Sequence, residues 1–194
     1  MTKRLQRNQV KESTFLQVKG YPGLDVMAEQ IKPLIPESKL YVEIFAGMGR
    51  TVEVEKHDEI ILNDLSDFAV KTLKEKFPSC KVTQEDYFKV IKEHYKNPDA
   101  FLFIDPPWRK NIYKNNERPE FTEESPINYY ENILFKLEFA ECKWILCVDK
   151  DEHEIGKRVS KSRFTNKVLE HPKKKLYGRP FAVRMCSNMW GITQ

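Results

Sequence analysis

Apolar residues recur along this chain in two alternating rhythms. One is a spacing of three and four, which marks a helix with one buried face. The other is a short unbroken run, which marks a strand covered on both sides. LDVMAEQIKPLI has the first rhythm: Leu24, Met27, Ile31 and Leu34 share a face, and Pro36 and Ser38 close the helix. KLYVEIF (39–45) is a β-rich run that breaks at the turn signal AGMG, and EIILND (59–64) is a second buried strand. SDFAVKTLKEKF (66–77) is a helix, with Ser66 placed to cap it and Phe68, Val70, Leu73 and Phe77 expected on its inner face. CKVT is a short third strand, DYFKVIKEHYK a helix, AFLFI (100–104) the fourth strand, PINYYENILFKLEFA a helix and KWILCV the fifth strand. EHEIGKRVS predicts a short helix. FTNKVLEH and RPFAVRMCSNMW predict two antiparallel strands joined by a basic loop, PKKKLYG.

Strands alternating with helices and closing on a hairpin predict an α/β fold. The expected architecture is a three-layer sandwich with a mostly parallel sheet and a C-terminal antiparallel hairpin. Residues 1–14 are polar and basic and read as a flexible tail, leaving 15–194 as one domain. No repeat, low-complexity segment or long linker divides the rest.

Composition narrows the class. The 194 residues are 40% hydrophobic and 32% charged, ordinary for a globular chain with a real core. No apolar run approaches the roughly 20 residues of a membrane helix. The N-terminal MTKRLQRNQVKEST lacks the apolar segment of a secretory signal, so a soluble cytoplasmic protein with no membrane partner is expected. Cys80, Cys142, Cys147 and Cys186 form no CxxC pair and do not group with His57, His94, His153 or His171. Buried reduced thiols are expected rather than a metal site or disulfides. A formal net charge of +4 permits a polyanionic partner without requiring one.

Ligands in open α/β sheets bind beyond the carboxyl ends of the strands, so the residues that follow each strand carry the functional information. The first strand is followed by FAGMG (45–49), the second by Asn63 and Asp64, the third by EDYF (85–88) and the fourth by DPPW (105–108). Gly47 and Gly49 allow a tight turn and close backbone approach, though an ordinary strand-to-helix turn uses the same residues. The dinucleotide fingerprint GxGxxG fails at Val52, and no GK[ST] follows to make a phosphate loop. Asp64 is placed to accept from ribose hydroxyls and Asp86 from an adenine amine. Each could equally cap the helix that follows. In DPPW, two prolines fix φ and remove two donors, so the strand must stop in a stiff turn. That turn sets the Asp105 carboxylate and Pro106 carbonyl side by side as acceptors for the two protons of an –NH2 group. Trp108 adds a face on which a base can stack, worth ~1–3 kcal/mol.

Taken in order, YPG (21–23), VEIFAGMG, LND and DPPW resemble the S-adenosylmethionine-dependent D12-class, Dam-like DNA adenine-N6 methyltransferases. The resemblance runs over roughly residues 18–148 and implies a Rossmann-like class I methyltransferase fold with S-adenosylmethionine as cofactor. It implies that Phe45, Ala46, Gly47 and Gly49 line the methionine part of the cofactor, with Glu43 supporting the loop. Asp64 would hold the ribose, Asp86 and Tyr87 the adenine, and Tyr21 would close over the cofactor. Asp105, Pro106, Pro107 and Trp108 would hold the target amine. The chain departs from the pattern at Leu24 and Asp25, where the family often has Gly-Lys, and at Trp108, where its DNA enzymes usually have tyrosine. The interval from Gly49 to Asp105 is too short for an inserted target-recognition domain, which leaves that task to a partner subunit or to the chain's own loops.

The expected reaction is methylation of the exocyclic N6 amine of adenine in DNA. Methylation of RNA, at adenine N6 or guanine N2, is the alternative, and protein glutamine N5-methylation a second. The latter class generally begins its motif with asparagine, whereas this chain has Asp105. A cytosine-C5 mechanism needs a cysteine after a proline, and none of the four is so placed. Arg109, Lys110, Tyr113, Lys114 and Arg118, in the polar loop after DPPW, are expected to hold nucleic acid through its phosphates. HPKKKLYGR (171–179) is a second basic stretch, for which a solvated charged loop is the simpler reading.

Overall fold

The computed structural model describes residues 27–106, 126–149, 164–176 and 179–192. Seven strands form one sheet in the order β3-β2-β1-β4-β5-β7-β6. They are β1 (Ser38–Ile44), β2 (His57–Asn63), β3 (Lys81–Thr83), β4 (Ala100–Ile104), β5 (Lys143–Asp149), β6 (Phe164–Leu176) and β7 (Arg179–Ile192). β1 to β5 are mutually parallel, while β7 runs antiparallel to both β5 and β6. Consecutive residues are buried along the central strands: Tyr41 to Ile44 on β1, all of Ala100–Ile104 on β4 and Trp144 to Val148 on β5. Burial of successive residues on a strand means that both faces of the sheet are covered, as expected of the parallel layer in a sandwich.

Four α-helices accompany the sheet: α1 (Ala28–Ile31), α2 (Asp67–Lys76), α3 (Tyr87–His94) and α4 (Pro126–Leu137). α1 is shorter than its apolar pattern suggested. Pro33 lacks the N–H that an α-turn needs, so the chain tightens into a 3₁₀ turn over Lys32–Leu34. Met27 and Ile31 nevertheless reach the core, and Leu34 packs against it. α2 starts where expected, with Ser66 Oγ accepting from Ala69 N at 3.4 Å. Its buried face is Ala69, Val70 and Leu73, and Phe68 is 47% exposed rather than inward. At 100° per residue Phe68 lies well round the helix from Leu73, beyond the reach of the sheet.

The C-terminal hairpin also differs from expectation. Residues 172–176, read as a basic loop, continue β6: Lys175 pairs with Pro180 and Leu176 with Arg179 after a register irregularity beyond Glu170. Residues expected to form the short helix 152–160 lie outside those described. Cys142, Cys147 and Cys186 are buried, and Cys80 is half-buried. Among the described residues no helix is long and apolar enough to cross a membrane.

Candidate active site

The strand order reverses at the β1–β4 pair: β2 and β3 lie to one side, β5 to β7 to the other. A crevice opens at such a reversal beyond the strands' carboxyl ends. Ile44 pairs with Ile104, so Phe45 and Asp105 leave adjacent strands at the same level, and Asp105 N donates to Ile44 O at 3.4 Å. The glycine loop and the acid of DPPW are therefore neighbours, although widely separated in sequence.

Each turn of the glycine loop is held from a different side. Phe45, Gly47 and Gly49 all have positive φ, at 65°, 52° and 60°. Ala46 N donates to Asn63 O at 2.9 Å, tying the loop to the end of β2. Gly47 N donates to Asp64 Oδ2 at 2.8 Å, and Ser66 N to Asp64 Oδ1 at 2.9 Å. Lys76 Nζ, from the end of α2, donates to the carbonyls of Met48 and Gly49 at 3.1 and 3.4 Å. Gly49 is required by packing: a Cβ there would lie 2.5 Å from the Phe77 ring and 3.0 Å from Leu73. The close approach that the sequence suggested for a ligand is, at Gly49, an approach to the C-terminal end of α2.

Glu43 lies beneath this loop, 4% exposed. Thr51 Oγ1 donates to its Oε1 at 2.7 Å and Tyr41 Oη to its Oε2 at 2.8 Å. Burial pushes its carboxyl up to about 7, opposed by those two hydrogen bonds and by the Lys76 charge. Its support of the loop runs through Thr51.

The expected ribose acceptor Asp64 is 1% exposed, and each of its oxygens already receives a backbone N–H. It braces the loop against the β2–α2 turn, so any hydroxyl it binds must use the remaining lone pairs. Its neighbour Asn63, to which the sequence reading gave no role, is 2% exposed. Asn63 Oδ1 accepts from Thr83 Oγ1 and Glu85 N, and its Nδ2 donates to Glu85 O. That amide fixes the chain after β3 and so presents Asp86. Asp86 is exposed and caps α3, with Oδ1 accepting from Phe88 N and Lys89 N at 2.9 and 3.2 Å. The Tyr87 ring lies 5.7 Å from that of Phe45, tilted by 31°. The two rings form a shared aromatic wall between the loops after β1 and β3.

At the end of β4, Asp105 is half-buried and Pro106 buried. Tyr130 Oη, from the buried side of α4, donates to Pro106 O at 3.4 Å. Tyr130 was not singled out in the sequence, because at helical spacing it reads as core. Cys147 on β5 is fully buried, and burial, followed by the charges of Asp105 and Glu43, pushes its thiol well above the usual range. A thiol so held is not a nucleophile. Tyr21, Pro107, Trp108, Arg109, Lys110, Tyr113, Lys114 and Arg118 lie outside the described residues.

The donors and acceptors suit one kind of ligand. The acceptors Asp86 and Asp105, the aromatic wall and the tightly turned loop favour an adenosine bearing amine and sulfonium groups. The nearby cation Lys76 is bonded to loop carbonyls, where it can steady the loop but is committed away from a phosphate.

Residues 26–137 match the family described as D12 class N6 adenine-specific DNA methyltransferase. The chain belongs to this family. As a D12 methyltransferase it uses S-adenosylmethionine as cofactor. The match starts after Tyr21, so the YPG stretch is outside it. Solved structures with the same fold include an rRNA methylase from Streptococcus thermophilus, at 12% identity and TM-score 0.52, covering 86% of this chain and 96% of that one. A Thermoplasma acidophilum protein gives 11% identity and TM-score 0.55, with 88% and 89% covered. A Streptococcus mutans protein in complex with SAH gives 13% identity and TM-score 0.51, with 86% and 98% covered. No curated protein matches the chain.

Proposed function

We propose that this D12 methyltransferase transfers a methyl group to the exocyclic N6 amine of adenine in DNA, acting in the cytoplasm, with target recognition completed by its own loops or a partner subunit. The observation that supports this best is the juxtaposition of the Asp105–Pro106 corner with the glycine loop across the β1–β4 pair. Bound S-adenosylmethionine supplies an electrophilic methyl carbon on a sulfonium. Phe45, Ala46, Gly47 and Gly49 line its methionine portion, with Glu43 steadying that loop. Asp64 meets the ribose through its remaining lone pairs, and Asp86 and Tyr87 hold the adenine. Asp105 and the Pro106 carbonyl accept the two protons of the target amine.

An adenine amine is a poor nucleophile because its lone pair is conjugated into the ring. Two acceptors held by a diproline turn draw its protons out of the ring plane and restore lone-pair character. Asp105 then carries the hydrogen bond that strengthens as the nitrogen becomes cationic, and can take the proton released. Most of the rate enhancement is positioning and electrostatics. Trp108 supplies a stacking plane, and Arg109, Lys110, Tyr113, Lys114 and Arg118 contact the nucleic-acid strand. A base in a duplex must first be extruded, at a cost of about a few kcal/mol.

RNA is the second reading, favoured by Trp108 in place of the tyrosine usual in DNA enzymes. Labelled-methyl transfer to DNA, RNA and protein pools, followed by nucleoside mass spectrometry, separates these. N6-methyladenine in DNA is expected, with loss of transfer and retained cofactor binding in Asp105→Ala. Full activity in that variant would overturn the mechanism.

A further inference from the structure

The hairpin β6–β7 outruns the strand on which it is built. β5 ends at Asp149, which pairs with Val183. From there β7 extends back to Arg179 and β6 onward to Leu176, each paired with the other through Glu170↔Ala182, Lys175↔Pro180 and Leu176↔Arg179. At ~3.3 Å per residue, the step from Val183 to Arg179 carries this two-stranded ribbon about 13 Å past the end of β5. β5 is parallel to β4, so the ribbon projects from the edge of the sheet that bears Asp105 and the glycine loop. β7 lies two strands from β4, which at ~4.8 Å per spacing sets the ribbon about 10 Å to the side of the Asp105–Pro106 corner. Over the projecting residues the sequence places His171, Lys173, Lys174, Lys175 and Arg179 against the single acid Glu170.

We propose that this ribbon is a docking arm for duplex DNA, with its cations set against the phosphates beside the extruded base. The proposal rests on the reading of the site as a nucleic-acid methyltransferase and names the element that grips the substrate. A two-stranded ribbon matches the ~12 Å major groove of B-form DNA, whereas the major groove of A-form RNA is too deep and narrow to admit one. The sideways offset has a use: the duplex can stay on the ribbon while one base leaves the stack and reaches the corner. The simpler account of lysines on an edge strand is protection against strand-to-strand association. It predicts no effect on DNA binding.

The test is binding of a short duplex by the full chain, read by fluorescence anisotropy over a range of salt. Lys173→Gln/Lys174→Gln/Lys175→Gln is expected to weaken binding tenfold or more at ~0.1 M salt and to make the slope of log K against log[salt] shallower by up to about 2.7. Calorimetric binding of S-adenosylmethionine should be unchanged, and the corresponding triple arginine variant should bind the duplex like the wild type. If the glutamine variant loses cofactor binding, Arg179→Gln replaces it, with a slope change of about 0.9 expected. Unchanged affinity and slope in a variant that still binds cofactor would overturn the proposal, as would equal competition by an RNA hairpin. Labelled-methyl transfer by the wild type to the same duplex separates the two readings. Transfer without ribbon-dependent binding refutes the arm alone. Ribbon-dependent binding without transfer refutes the DNA-methylation reading alone.

Discussion

The backbone N–H of Gly47 donates to Asp64 Oδ2 at 2.8 Å, and the second oxygen of the same buried carboxylate receives Ser66 N. One side chain thus locks the glycine loop to the start of α2. Asp64→Asn keeps the shape but turns an –NH2 group toward one of those N–H donors. Urea denaturation should show a loss of about 2–3 kcal/mol, because a charged acceptor is removed and a buried donor left unpaired. Calorimetry should show weaker cofactor binding. An unchanged denaturation midpoint would mean that the loop is held by other contacts.

Gly49 has φ +60° and no room for a Cβ against Phe77. Gly49→Ala should cost about 2–4 kcal/mol, combining backbone strain with overpacking. Because Phe77 is the obstacle, Gly49→Ala/Phe77→Leu should be less destabilised than the sum of its single variants. Strict additivity in denaturant titrations would argue that the φ constraint alone is responsible.

Glu43 makes stability depend on pH in an unusual direction. Its folded-state value of about 7 lies above its ordinary 4.5, so between these values the folded state binds more protons than the unfolded one. The stabilisation is complete below pH 4.5 and is lost as pH rises through about 7, amounting to on the order of 3 kcal/mol. Glu43→Gln cannot titrate. Thermal melts from pH 5 to pH 8 should fall in the wild type, after allowance for other groups, and fall less in the variant. Parallel curves would place the titrating group elsewhere.

Tyr130 fixes one of the two amine acceptors from behind, through its hydroxyl on Pro106 O. Tyr130→Phe keeps the ring and removes that contact. We expect a fall in kcat of roughly tenfold, with KM for cofactor unchanged and a stability loss of about 1 kcal/mol. A variant that lost stability but kept its kcat would show the hydroxyl to be purely structural.

The legibility of the chain followed burial. β4 was bounded correctly because all five residues of AFLFI are buried, and no amphipathic alternative competes for such a run. The acids at the ends of β2, β3 and β4 stood out because strand ends are where a parallel sheet exposes polar groups. What lay hidden was direction. Asp64 reads as a ligand acceptor, yet its carboxylate turns inward to two backbone donors, and no local pattern specifies that choice. Phe68 is as apolar as Val70 but sits at the wrong helical angle, which counting from Leu73 would have revealed. The strand at 172–176 was missed because a ribbon without a buried face carries no period-two signal. Tyr130 and Asn63 act through single polar atoms at tertiary contacts, where spacing gives no warning.

β1 and β4 touch only after more than half of the sheet-forming chain up to residue 104 has been looped out between them. Contacts of such long range form late and slowly in folding. The capacity to transfer methyl groups therefore cannot accumulate piecemeal: a nascent chain still short of Ile104 holds a cradle with nothing beside it, and competence arrives in one step when the central pair zips.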